Sequence, residues 1–130
     1  MSSPSGLHTL IEIHQHAPHL LNSSFEIYVD GGMRRGTDVL KCIALGAKAC
    51  GFGRPFLYSL VGHGKDGATH ACSIIAEEIL TGMKLLGRQS LAELTPECVN
   101  TTLLDAECAL DDSIMKRRMR GWTQYRIAKL

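Results

Sequence analysis

Two short loops in this 130-residue chain combine glycines with arginines, and these are the residue types that suit a phosphate group. A phosphate monoester carries close to two negative charges, so it needs N–H donors that approach closely and cations that stay charged. Glycine permits a positive φ and a close backbone approach, while arginine forks onto two oxygens. The candidate residues are Asp30, Gly31, Gly32, Met33, Arg34, Gly53 and Arg54.

Each loop follows a predicted strand, and one predicted helix joins the two strands. The strands are Phe25–Val29 and Lys48–Phe52, and the helix starts near Thr37 after a Gly-Thr-Asp cap and ends at Gly46, a residue suited to a positive φ. One strand plus a crossover helix predicts parallel neighbours in a right-handed unit. Both loops then lie at one sheet edge, with the helix N-terminus pointing at the same place.

The rest of the pattern is helical. We expect a helix over Leu7–His16, a loop over Leu20–Ser24, and a long helix over Ala68–Leu86 that Asp66 caps. Apolar residues along the long helix form one stripe, made of Ala71, Ile75, Ile79, Met83 and Leu86. A capping box over Ser90–Glu93 predicts a short helix before Pro96, and the sequence after Leu104 reads as an irregular or loosely helical basic tail.

Composition excludes several classes of protein. A net charge of +1 gives no general reason to expect nucleic acid, and we interpret the basic tail as a solvated face. Five cysteines without a Cys-x-x-Cys pair argue against zinc and against a disulfide framework, and Cys42 and Cys50 lie in apolar runs where a thiol acts as a small core side chain. The histidines at 14, 16 and 19 lack the i, i+4 spacing of a helical zinc pair. No apolar run reaches the roughly 18 residues of a membrane span, and we expect no signal peptide.

The two loops together carry a family resemblance. The stretches Asp30–Lys41, Leu45–Ala49 and Gly51–Tyr58 resemble the C-terminal part of the FMN-dependent α-hydroxy-acid dehydrogenases and oxidases. Fungal flavocytochrome-type L-lactate dehydrogenases look most similar, and glycolate and lactate oxidases are more distant. The similarity runs from about Leu10 to Leu104, so we assign residues 1–104 to a partial barrel domain and 105–130 to the tail.

The resemblance implies a fold, a cofactor and residue roles. The fold is α/β, the C-terminal fragment of a TIM (β/α) barrel with about its last two βα units, strands 7 and 8. FMN is the implied cofactor: Asp30 faces the ribityl hydroxyls, Arg34 faces the phosphate, and Gly53 with Arg54 forms the second contact. Arg35, next to Arg34, should point elsewhere. A whole barrel needs about twice this chain.

The same resemblance shows what this sequence does not contain. The family oxidises a 2-hydroxy acid such as L-lactate or glycolate, with a histidine base and a substrate-binding arginine in a His-Gly-Gly-Arg-Gln stretch. No such stretch occurs among the 130 residues. We therefore expect no catalytic residue here and activity only in a full-length context, and we expect the open sheet edges to make the isolated chain marginally stable or dependent on a missing barrel segment.

Two alternatives stay open at this point. One is a truncated, non-catalytic product that binds phosphate weakly or pairs with a full-length homologue. The other is a nucleotide-monophosphate barrel enzyme such as inosine-monophosphate dehydrogenase, which shares the Asp-Gly-Gly loop but usually has Gly-Ser where this chain has Gly53-Arg54. The expected partners are a small 2-hydroxy acid and, as in the family, further copies of the chain.

The expected location follows from the family and from the C-terminus. The flavocytochrome relatives are mitochondrial, whereas the glycolate-oxidase relatives are peroxisomal. The final Ala128-Lys129-Leu130 resembles the Ser-Lys-Leu peroxisomal address. A mitochondrial or a peroxisomal location is therefore expected, and otherwise a cytoplasmic one.

Overall fold

A computed structural model describes residues 5–21 and 24–106 of the chain. The chain divides into two compact units, Met1–Val99 and Asn100–Leu130. In the second unit, residues 102–106 are helical. Residues 107–130, and with them most of the predicted tail, lie outside the described residues, so the domain boundary after Leu104 stays a prediction.

Two helices open the first unit. Helix α1 spans Gly6–His16, as predicted, and the Ser5 hydroxyl caps it by accepting the His8 N–H at 3.3 Å. Helix α2 spans Pro18–Leu21, so the predicted loop over residues 20–24 is wrong at its start. The physical reason is Pro18, which ends α1 but is well suited to the first position of a new helix.

A parallel βαβ unit follows, and this prediction is confirmed. Strand β1 is Tyr28–Val29, α3 is Gly36–Ala44, and β2 is Ala49–Cys50, with Tyr28 opposite Ala49 and Val29 opposite Cys50. Gly46, just after α3, has φ +96°, as its predicted role requires. Both strands are shorter than predicted, because a strand is defined by its pairing and the described sheet has two strands only.

Helix α4 consists of two helical segments, and the sequence pattern indicated only the second of them. It spans Arg54–Leu85, with a break at His63 and Gly64, where Gly64 has φ +60°. The predicted start at Ala68 with an Asp66 cap is therefore wrong, since the chain is already helical at Asp66. Pro55 explains why the first segment begins at Arg54, because proline is favoured in the first turn of a helix. The second segment follows Gly64, whose φ of +60° and ψ of −147° interrupt the helical backbone.

Two short 3-10 turns, Leu91–Glu93 and Pro96–Cys98, close the unit. The first is the short helix that the capping box predicted. Its Glu93 carboxylate accepts the Gln89 N–H at 3.2 Å and the Ser90 hydroxyl at 3.1 Å. These two turns bring the chain back onto the face between α3 and α4.

One cluster of the core lies between α3 and the C-terminal half of α4. Its buried side chains are Leu40, Ala44, Met83 and Leu94, with Ile43, Ile79, Cys98 and Val99 packed around them. The predicted stripe of α4 thus reaches this core through Ile79 and Met83, whereas Leu86 at its end is 40% exposed. The last turns of α4 hold the βαβ unit in place.

Large apolar side chains elsewhere remain in contact with solvent. On the N-terminal half of α4, Tyr58 is 68% and Val61 is 78% exposed, and Phe25 ahead of β1 is 63% exposed. A soluble domain normally covers most such surface, because each buried apolar side chain contributes about 1.5–3 kcal/mol to folding. These exposed side chains in the described part of the chain therefore do not contribute that free energy to folding.

The purified chain is therefore expected to have marginal stability. Circular dichroism should show a broad transition, or one well below the roughly 45–65 °C that is usual for small mesophilic domains. Concentration-dependent light scattering should accompany it, because exposed apolar surface and open sheet edges promote association. A sharp, concentration-independent melt in the usual range would contradict this prediction.

Candidate functional site

The two loops meet at one cavity of about 550 Å³. All seven residues that the sequence singled out line it, and three further residues join them. The lining residues are Asp30, Gly31, Gly32, Met33, Arg34, Gly51, Gly53, Arg54, Pro55 and Tyr58. The structure thus brings Arg34 and Arg54 to one cavity. Arg35 does not line this cavity, as expected for a residue that follows Arg34 in an extended segment.

The first loop has the backbone that its glycines predicted. Gly31 has φ +94° and Gly32 has φ +86°, and no atom lies within 4 Å of where a Cβ would stand on either residue. The left-handed backbone therefore requires glycine here, while the space in front of it is open. An open, glycine-lined surface beside an arginine is what an approaching phosphate needs.

The Asp30 carboxylate is held at the end of β1 by its neighbours. Its Oδ1 accepts the Gly31 N–H at 2.6 Å. Gly51 lies directly beneath it: a Cβ on Gly51 would stand 2.9 Å from the Asp30 Cγ. The backbone of Gly51 also donates its N–H to the Val29 carbonyl at 2.8 Å, which fixes the distance between the two strand ends. Gly51 therefore allows the carboxylate to lie across the second strand.

The Asp30–Gly31 hydrogen bond decides which amide of the glycine pair is engaged. The Gly31 N–H donates to the Asp30 side chain, so this amide is already engaged. The Gly32 N–H, by contrast, has no hydrogen bond to another residue in the described part of the chain. The Oδ1 atom of the Asp30 carboxylate is thus engaged within the loop itself.

The expected role of the α3 N-terminus is not what the structure shows. The Gly36 N–H donates to the Glu78 carboxylate at 2.6 Å, and the Arg34 and Arg35 N–H groups both donate to the Asp38 carboxylate at 3.1 Å. Two carboxylates thus neutralise the positive end of α3. Neither Gly36 nor Thr37 lines the cavity.

The N-terminus of α4, and not that of α3, lies at the cavity. Gly53 is its N-cap residue, Arg54 and Pro55 form its first turn, and all three line the cavity. The positive end of this helix therefore adds to the charge of Arg54. The rings of Phe52 and Phe56 pack edge to face with centroids 5.7 Å apart, which fixes the loop to the first turn of the helix.

Three lining residues were not among the candidates from the sequence: Gly51, Pro55 and Tyr58. A signal for Pro55 was present, since a proline directly after a glycine loop is typical of a helix start. Tyr58 reaches the cavity only because α4 begins at Arg54 and so brings the next turn to the same side. No local pattern could have indicated Gly51, because its role depends on the position of Asp30.

Other kinds of site find no support in the described residues. The ranges 5–21 and 24–106 contain no group of three or more histidine, cysteine, aspartate or glutamate side chains arranged to hold a metal ion. The lining of the cavity contains no histidine. Within the same ranges, no helix combines the length and the apolar character that crossing a membrane requires.

The chain is similar in sequence to known 2-hydroxy-acid dehydrogenases and oxidases. A chain of L-lactate dehydrogenase (cytochrome) from Wickerhamomyces anomalus is 51% identical over 81 residues, which cover 62% of this chain and 14% of that protein. Mouse 2-hydroxyacid oxidase 2 is 42% identical over 84 residues, covering 65% of this chain and 24% of that protein. The chain thus spans between a seventh and a quarter of the length of these relatives.

Solved structures give the same result. The recombinant flavin-binding domain of baker's yeast flavocytochrome b2 matches with a TM-score of 0.70 and 43% identity, over 77% of this chain and 26% of that one. The family model described as FMN-dependent dehydrogenase matches residues 1–101. The family that the sequence resembled is therefore confirmed, and its cofactor is FMN. On this match, the chain belongs to the FMN-dependent dehydrogenase family.

Proposed function

We propose that this chain is the FMN-phosphate-binding part of an oxidoreductase that converts a 2-hydroxy acid, such as L-lactate or glycolate, to the 2-oxo acid. The observation that carries the proposal is the cavity on which Arg34, Arg54 and the glycine loops converge. In this proposal β1 and β2 are the last two strands of a (β/α) barrel. The parallel βαβ unit and the likeness to flavocytochrome b2 support it.

The cavity residues fit the phosphate end of FMN. Arg34 and Arg54 supply two permanent positive charges, the α4 N-terminus adds a partial one, and the left-handed glycines leave room for oxygen atoms. The Asp30 carboxylate would accept a hydrogen bond from a hydroxyl of the ribityl chain. Tyr58, 68% exposed, covers one side of the cavity. Bound FMN would supply the acceptor for the reducing equivalents of the hydroxy acid.

The residues of this chain bind and orient; they do not take the substrate proton. The histidine and arginine that the family resemblance implies for that step have no counterpart in this sequence, and no histidine lines the cavity. We therefore propose that oxidation requires further barrel strands. The exposed apolar side chains of α4, such as Leu57 and Val61, support this, since they suit a covering segment.

A non-catalytic product is the second candidate. The same absent histidine favours it, and in that case the chain binds phosphate compounds weakly or pairs with a full-length homologue. The nucleotide-monophosphate alternative finds no such support, because the family match is to FMN-dependent dehydrogenases. The cellular location stays a prediction, and the final tripeptide lies outside the described residues.

Flavin titration tests the proposal. FMN and riboflavin share the isoalloxazine ring and the ribityl chain but differ in the phosphate, so their affinity ratio isolates the phosphate contacts. Charge-assisted hydrogen bonds contribute about 1.5–3 kcal/mol each, so we expect FMN to bind at least about tenfold more tightly than riboflavin. Flavin fluorescence measures both. Equal affinities would contradict a phosphate site.

A further inference from the structure

The residues on either side of Arg34 and Arg35 are fixed by contacts with helices. Before them, the Met33 side chain is buried, and its Sδ lies 3.9 Å from the Cys42 Sγ on α3. After them, the Gly36 N–H donates to the Glu78 carboxylate on α4 at 2.6 Å. The backbone between these two anchors determines where the Arg34 side chain starts, and its contacts are therefore part of the site.

Asp38 holds this backbone through a single oxygen atom. Its Oδ2 accepts the N–H groups of Arg34 and Arg35, each at 3.1 Å. Its Oδ1 lies 3.8 Å from the Lys41 Nζ, one turn further along α3. Asp38 is in the first turn of α3, so the helix fixes its own backbone. The carboxylate therefore ties the Arg34 and Arg35 amides to a helix that is itself part of the core.

The negative charge of Asp38 by itself disfavours a bound anion. Asp38 does not line the cavity, but Arg34, whose amide it accepts, does. A carboxylate near a phosphate site lowers the attraction for a dianion, because like charges repel. An acidic residue in the first turn also stabilises its helix through the dipole, which is the alternative role for Asp38. These two roles differ in what they predict for phosphate binding.

We propose that Asp38 is a positioning residue for the phosphate site, which holds the backbone of Arg34 so that its side chain reaches the phosphate of FMN. The positioning role rests on the proposed function, since it assumes that Arg34 binds that phosphate. Fixing a binding group before the ligand arrives increases affinity, because less ordering is left for the binding step. Asp38 thus contributes to FMN affinity by accepting hydrogen bonds, although its charge opposes the ligand.

Two variants separate the hydrogen bonds of Asp38 from its charge. Asp38→Ala removes both, whereas Asp38→Asn removes the charge and keeps an oxygen that can accept from both amides. We expect Asp38→Ala to weaken FMN binding by about three- to tenfold, which is part of the loss expected for Arg34→Ala. Asp38→Asn should bind FMN at least as tightly as the unaltered chain. Riboflavin, which lacks the phosphate, should bind all three proteins with affinities that agree within about twofold.

A double-mutant cycle tests whether Asp38 acts through Arg34. In an Arg34→Ala background, Asp38→Ala should cause no further loss of FMN affinity, because the side chain that it positions is gone. In the matched Arg54→Ala background, Asp38→Ala should still weaken FMN binding by about three- to tenfold. Helix stabilisation alone would give equal effects in both backgrounds. An effect of charge alone would tighten FMN binding in both Asp38 variants.

Limited proteolysis follows the same backbone without any flavin. Trypsin cleaves after Arg34 and Arg35, and the cleavage rate reports how firmly their backbone is held. Relative to cleavage after Lys84 in α4, cleavage at these two sites should be several-fold faster in Asp38→Ala than in the unaltered chain or in Asp38→Asn. To keep every variant folded, all proteins carry Gly62→Ala, which places a better helix former at an open position of α4.

Failure of the positioning role is distinguishable from failure of the proposed function. Equal FMN and riboflavin affinities in the unaltered chain would overturn both together. A preference for FMN that Asp38→Ala leaves unchanged, or that Asp38→Asn loses to the same extent, would overturn the positioning role alone. Equal effects of Asp38→Ala in the Arg34→Ala and Arg54→Ala backgrounds, or unchanged cleavage after Arg34 and Arg35, would do the same.

Discussion

Replacing either Arg34 or Arg54 with alanine is expected to weaken FMN binding by about 10- to 100-fold, while riboflavin binding stays within about twofold of the unaltered chain. The range corresponds to about 1.5–3 kcal/mol for each lost charge-assisted contact, and the exposure of both side chains favours its lower end. The two arginines share one cavity, so the double variant should bind FMN no better than riboflavin. Fluorescence titration with both flavins measures this.

Arg35→Ala is the matched control for these variants. It removes the same charge from the adjacent position, but Arg35 does not line the cavity. If net charge alone attracted FMN, all three single variants would lose affinity equally and the loss would vanish at high salt. Equal losses in Arg34→Ala and Arg35→Ala would therefore contradict the site. The expected result is a loss at Arg34 and Arg54 that Arg35→Ala does not reproduce.

Gly36→Ala is expected to destabilise the chain by about 2–3 kcal/mol, close to the upper range for overpacking. A Cβ on Gly36 would stand 2.6 Å from the Ile79 N and 2.7 Å from the Glu78 Cβ. These are atoms of a helix backbone and its first side-chain carbon, so they cannot rotate away. The new methyl group would separate α3 from α4 and break the hydrogen bond from the Gly36 N–H to Glu78.

Gly62→Ala is the matched control, with the opposite sign. Gly62 lies in α4, and no atom stands within 4 Å of the position that its Cβ would take. Alanine should stabilise a helix there by about 0.5–1 kcal/mol relative to glycine. Urea unfolding followed by circular dichroism compares the two variants. A Gly36→Ala chain as stable as the Gly62→Ala chain would show that α3 and α4 do not approach as closely as described.

The sequence by itself determined the local chemistry of the site. Gly31 and Gly32 have positive φ because their loop must turn sharply at the end of β1, and that requirement is visible in the residue types. The spacing from the first strand to the second determined the parallel βαβ unit, since a crossover helix needs that length. The same residues carried the family resemblance that the comparisons confirmed.

Only the tertiary structure decided which helix end faces the cavity and what surrounds it. Glu78 is far from Gly36 in the sequence, yet its carboxylate neutralises the positive end of α3. The helix N-terminus that faces the cavity is therefore that of α4. The full length of α4 was hidden because its first turns face no core, so they show no apolar periodicity. Likewise, the role of Gly51 depends on the position of Asp30, which lies at the end of the other strand. Local sequence sets backbone preference, but close approach between elements is set by packing alone.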